Sequence, residues 1–139
     1  VDEVQSFLNK KIIIKKYNYI KRQKQGSGDP KDLLFRFAYH DFYFLYEKLK
    51  RYKISNIKII DIKDCLEFKI NFGNKTFFFH YNLNSKKKIH SFNSRNLITR
   101  KDVLSKMIKN VLNEKVDFKN NKNKSLFANK LIDKIIKKI

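Results

Sequence analysis

Apolar residues recur at every second position on both sides of Gly73-Asn74: Leu66, Phe68, Ile70 and Phe72 before it, and Phe77, Phe79, Tyr81 and Leu83 after it. This predicts two strands joined by a two-residue turn, the shortest common hairpin. Such a turn fixes register. Phe72 faces Lys75, Ile70 faces Phe77, Phe68 faces Phe79 and Leu66 faces Tyr81, all on one side. On the other side Glu67 lies opposite His80, and Lys69 opposite Phe78. A one-residue slip would bury the charged set, so the pairing is well specified and one face needs a cover.

Around the hairpin the pattern changes period. Residues 1–25 are apolar at first (Val4, Phe7, Leu8, Ile12, Ile13, Ile14) and then basic (Lys15, Lys16, Lys21, Arg22, Lys24). They read as an amphipathic helix fraying into a basic tail, although the alternation from Ile14 to Ile20 also suits a strand. Gly26-Ser27-Gly28 is a flexible linker, so residues 1–25 could be a tethered separate piece. Asp29-Pro30 starts a helix by N-cap and Pro at N1. The predicted helix, 29–54 with its flanks, is roughly 35 Å long at 1.5 Å per residue. Leu34, Ala38, Phe42, Leu45, Leu49 and Tyr52 follow near-heptad spacing and are expected to meet a protein partner.

Strands are expected at about 56–62, 65–72, 76–83 and 88–92. Thr99 to Asp102 resembles a capping box opening a helix with Val103, Leu104, Met107, Ile108, Val111 and Leu112 on one face. A polar loop from Lys119 to Lys124 then leads to a last helix bearing Phe127, Ala128, Leu131, Ile132, Ile135, Ile136 and Ile139. The expected fold class is α+β: a long N-terminal helix, a small antiparallel β-meander, and two C-terminal helices packed on one sheet face, with a globular head over 55–139.

Composition adds a charge problem. Among 139 residues, 33 basic and 13 acidic side chains give a net charge of +20, while 42% hydrophobic content suffices for a core. The excess is Lys, with five Arg against 28 Lys. Codon bias on a solvated surface accounts for it, and so does attraction to a polyanion. Few Arg weigh against base-specific readout. Cys65, the single cysteine, cannot form an internal disulfide, which fits a reducing compartment. No apolar run approaches membrane-span length, so no membrane is expected. A chain starting at Val1 reads as part of something longer.

Candidate chemistry is sparse. His40, His80, His90 and Cys65 show no metal-ligand spacing along the chain, so no metal or cofactor is expected. The Glu67–His80 pair reads as a surface ion pair, or alternatively as the acid–base pair of a small nuclease. No phosphate loop or nucleophile elbow is present, which points away from an enzyme. Phe78 beside Lys69, together with Lys86, Lys87 and Lys88, forms a possible polyanion contact in which the aromatic would stack on bases.

Phe44-Leu45-Tyr46-Glu47-Lys48-Leu49-Lys50 runs into a strand. Leu66-Glu67-Phe68-Lys69-Ile70 and Phe79-His80-Tyr81-Asn82-Leu83 follow, and Phe127-Ala128-Asn129 comes after a late Asn-rich turn. Over about residues 40–139 this order resembles the C-terminal, RWD-like head of the kinetochore Spc twenty-five subunits of the outer-kinetochore NDC-eighty complex. The basic charge and Gly26-Ser27-Gly28 depart from that pattern. The resemblance implies a nuclear, non-enzymatic docking subunit whose head pairs with a sister of the Spc twenty-four type. Such heads bind inner-kinetochore linker proteins and carry coiled coils toward spindle microtubules in cell division. The alternative expectation is a basic nucleic-acid-binding α+β domain.

Overall fold

Gly73 adopts φ 59°, the left-handed conformation that a two-residue hairpin turn asks of its first central residue. The computed structural model describes residues 13–96 and 118–139. Around this turn β3 (Leu66–Phe72) pairs with β4 (Lys75–Asn82) in the register the alternation predicts, from Phe72 opposite Lys75 to Leu66 opposite Tyr81. β2 (Ile54–Asp61) adds antiparallel to β3. The architecture is α+β, but the sheet is larger than a meander and is mixed.

The difference comes from β1 (Tyr17–Gln25). It runs parallel to β4 on one side and antiparallel to β5 (Asn84–Phe92) on the other. With a short β6 (Arg95–Asn96), the order is β2-β3-β4-β1-β5-β6. The described part of residues 1–25, expected as a helix end fraying into a basic tail or as a strand from Ile14 to Ile20, is therefore a strand inside the sheet, paired on both edges. Its alternation decides the matter: Asn18 and Ile20 turn into the core, while Tyr17 and Tyr19 turn away. Asn18 is buried and bonds Lys15 N and O, Thr76 O and Asn93, which pins the start of β1 to both neighbours. Lys86 to Lys88, read from sequence as a turn and the start of a short strand, lie within the nine-residue β5.

The expected long helix is shorter and irregular. Asp29 caps a 3-10 turn at Pro30–Asp32 by accepting from Lys31 N. A π-helical stretch at Leu34–Ala38 leads into α1 (Tyr39–Leu49). Buried positions recur every four residues here: Leu33, Phe37, Asp41 and Leu45, and Leu34, Ala38 and Phe42. A four-residue repeat drifts about 40° per turn around a 3.6-residue helix. The wider π turn holds both rows against the sheet.

One core results. The Leu66, Phe68, Ile70, Phe72, Phe77, Phe79 and Tyr81 face, with Ile20 and Phe92, packs under α1. Phe42 makes edge-on contacts with Phe68 and Phe79. α2 (Phe118–Ile136) contributes Ala128, Leu131, Ile132 and Ile135, whereas Ile136 and Ile139 are exposed. The expected polar loop 119–124 is helical instead. Tyr43 Oη donates to Asn121 Oδ1, Tyr39 Oη bonds Ser125 Oγ, and the Lys124 ammonium lies over the Tyr43 ring. The helix expected at 101–112 and its capping box lie outside the described residues. Among the described residues one C-terminal helix covers the sheet with α1, and no helix is long and apolar enough to cross a membrane.

Candidate nucleic-acid interface

Strand pairing sets four residues in a row on the sheet face away from α1: Lys58 on β2, Lys69 on β3, Phe78 on β4 and Tyr19 on β1. At the usual strand spacing the row spans about 14 Å. Lys58 and Tyr19 are exposed, and Lys69 and Phe78 are half-buried. Beside it runs a row of Asn56, Asn71, Thr76 and Tyr17. Tyr17 is exposed, with the Lys16 ammonium 5.5 Å from its ring centre. Tyr19 is held by the turn between β5 and β6, where Asn93 and Ser94 both take positive φ. Asn93 Oδ1 accepts from Tyr19 N (2.7 Å), and Asn93 N donates to Tyr19 O (2.8 Å). The face thus carries three aromatic rings flanked by lysines.

The row on the other side has different chemistry. Asp61, Glu67, His80 and Lys21 are successive register partners across β2, β3, β4 and β1. Cys65, two residues before Glu67, shares its face. The Cys65, Glu67 and His80 ligand atoms all lie within 4.8 Å of one another. His80 Nδ1 is 3.6 Å from Glu67 Oε1, and Cys65 Sγ is 3.5 Å from Asp61 Oδ2. His80 Nδ1 is buried without a hydrogen-bond partner, and Tyr19 stacks on the His80 ring at 6.5 Å. Burial, then the Asp61 carboxylate, pushes the Cys65 thiol up to about 11. Asp61 is held below the ordinary carboxylate range chiefly by the Lys63 N–H. Burial, then Glu67, raises the Tyr19 phenol.

A third cluster lies inside, under α1. Asp41 is fully buried and accepts from Arg22 Nη2 (3.0 Å) and Tyr81 Oη (2.8 Å), with His90 Nε2 at 2.9 Å. Burial alone would raise its pKa. The Arg22 guanidinium and then His90 outweigh that and hold it below the ordinary value. Arg22 also lies over the Phe37 ring at 5.4 Å, as does Lys24.

The residues singled out from sequence are sorted by this geometry. Lys69 and Phe78 are cross-strand neighbours. Lys86, Lys87 and Lys88 are exposed on β5, in a bulge where Ser85 to Lys88 stand against Lys24 alone. They lie at the Gln25 end of β1, about 20 Å along the strand from Tyr19, so they belong to a separate patch. The expected partner-contact residues are mostly unavailable. Leu34, Ala38, Phe42, Leu45 and Leu49 are 0–2% exposed in the chain's own core. Tyr52 is 37% exposed, and its ring lies against Gly73. The heptad-spaced side chains from Leu34 to Leu49 pack in the core with the six-stranded sheet and α2, while Phe35 in the same segment is 58% exposed.

Sequence reasoning missed the Asp61–Cys65–Glu67–His80 cluster. The hairpin register already placed Glu67 opposite His80 and Cys65 on the same face, but a search for spacing along the chain does not see ligands gathered across strands. No family model, curated protein or solved structure matches the chain.

Proposed function

We propose that this chain is a non-enzymatic binding module for single-stranded nucleic acid and that the Lys58–Lys69–Phe78–Tyr19 row is its contact surface. The single observation behind the reading is that row. Aromatic faces stack on bases regardless of sequence, and lysines beside them neutralise phosphates. Tyr17 and Lys16 extend it in one direction. The net charge of +20 supplies long-range attraction, and a Lys-rich, Arg-poor surface suits contact without base-edge readout. The bulge carrying Lys86 to Lys88 provides a second basic contact for a longer strand. A docking subunit built on Leu34, Ala38, Phe42, Leu45 and Leu49 has no comparable support, since those side chains fill the core.

The test is a competition between a labelled single-stranded oligonucleotide and unlabelled competitors: the same single strand, its duplex, and heparin. The reading expects single strand to compete best, because only unpaired bases offer faces for Tyr19 and Phe78. Equal competition by all three would reduce the surface to a general polyanion patch. Absence of binding at low salt would remove the reading.

A further inference from the structure

We infer that Cys65, Glu67 and His80, joined by Asp61, form a binding site for a zinc-like divalent cation on the sheet face opposite α1. The donor set and its spacing carry this, and it does not depend on the nucleic-acid reading. A tetrahedral zinc ion with bond lengths of about 2.0–2.3 Å holds its nitrogen, oxygen and sulfur donors roughly 3.3–3.6 Å apart. Here His80 Nδ1 and Glu67 Oε1 are separated by 3.6 Å, and Cys65 Sγ and Asp61 Oδ2 by 3.5 Å. The Cys65, Glu67 and His80 donors fall within one 4.8 Å set. Three donors already lie together, and Asp61 reaches the set through its contact with Cys65.

The backbone builds this arrangement. Asp61, Glu67 and His80 are direct partners across three adjacent strands, and Cys65 is two residues from Glu67 on the same face. The bulge between Ile59 and Asp61 sets Asp61 opposite Glu67. The Asp61 side chain is fixed by accepting from Lys63 N at 2.9 Å through Oδ1, which leaves Oδ2 toward the thiol. Tyr19 stacks on the His80 ring and steadies it.

His80 Nδ1 gives independent support. It is a buried polar atom with no hydrogen-bond partner, turned toward Glu67. Buried polar atoms are nearly always paired, and a cation would satisfy this one. The charges also balance. A thiolate and two carboxylates carry a formal −3, and a dication leaves −1. Lys21, opposite His80, and Lys69, two residues along β3 from Glu67, lie on the same face and offset the remainder. A soft sulfur with an imidazole favours zinc over magnesium or calcium. On binding, the thiol proton passes to solvent and a metal–sulfur bond forms.

The experiment uses the full chain, reduced, titrated with cobalt(II) as a spectroscopic substitute. A thiolate-to-cobalt charge-transfer band in the near ultraviolet is expected, and it can come only from Cys65, the one cysteine. Zinc should abolish it by displacement. His80→Ala and Glu67→Gln should each weaken cobalt binding by more than about tenfold, while His40→Ala should leave it unchanged. Glu67→Gln serves if His80→Ala fails to fold by circular dichroism. No charge-transfer band at excess cobalt, or unchanged affinity in a folded His80 or Glu67 variant, would overturn the site.

Discussion

Tyr81 donates to Asp41 at 2.8 Å from inside the core, where both side chains are buried between α1 and the sheet. The bond joins the helix to β4, and Arg22 on β1 and His90 on β5 meet the same carboxylate. Three strands are thereby tied to one helix residue. Removing the carboxylate leaves the Arg22 guanidinium without its partner, and its Nε is already unpaired. Asp41→Asn should therefore cost about 3–5 kcal/mol. Tyr81→Phe, which removes one bond to a charged acceptor, should cost about 1.5–3 kcal/mol. Urea denaturation of both variants and of the double variant measures the loss and the coupling. Additive losses would mean the two groups act separately.

The same cluster predicts how stability responds to acid. The folded-state pKa of Asp41 lies below its ordinary value. The folded state thus binds fewer protons than the unfolded state as pH falls through about 4, and stability is lost there. His40 is also lowered, first by burial and then by Arg22, against a smaller opposing effect of Asp41. Its stabilising share is present above about pH 6.5 and begins to fall away below it. Thermal melts across pH should show a shallow decline from about 6.5 and a steeper one near 4. His40→Gln should flatten the first stage and keep the second. A melting temperature that rises on acidification would contradict both assignments.

If α1 serves the core and not a partner, its apolar side chains must matter in the isolated chain. Leu45 is 2% exposed and Leu126 is 57% exposed. Leu45→Ala should destabilise by about 2–5 kcal/mol, and Leu126→Ala by no more than about 0.5 kcal/mol. Equal, small effects in denaturant titrations would return α1 to the role of an interface helix.

The hairpin was fully legible in the sequence, because its turn and its alternation fix the same register. The C-terminal helix was legible through Ala128, Leu131, Ile132 and Ile135, but its first turns were not. Tyr39 and Tyr43 stabilise them from another helix. β1 was ambiguous because a nine-residue strand with a polar second half also reads as a basic tail, and its partners lie more than fifty residues away. The length of α1 was overestimated because Phe35, Phe37, Tyr39, Phe44 and Tyr46 make the segment apolar nearly all round, which hides the π turn. Lys69 and Phe78 could be paired from sequence. Lys58 and Tyr19 complete the row only through strands whose neighbours local pattern does not specify. The Asp41 cluster draws on α1, β1, β4 and β5, and no local pattern announces it.

The most direct measurement is the anisotropy of a labelled single-stranded oligonucleotide, titrated with the wild-type chain, Tyr19→Ala and Phe78→Ala over a series of salt concentrations. The account predicts binding that weakens with salt at about 0.7 log units per log unit of salt for each phosphate contacted. Each aromatic variant should lose about fivefold to a hundredfold in affinity, with its salt slope unchanged, since stacking rather than charge has been removed. Folded variants that bind as tightly as the wild type would contradict the sheet-face interface.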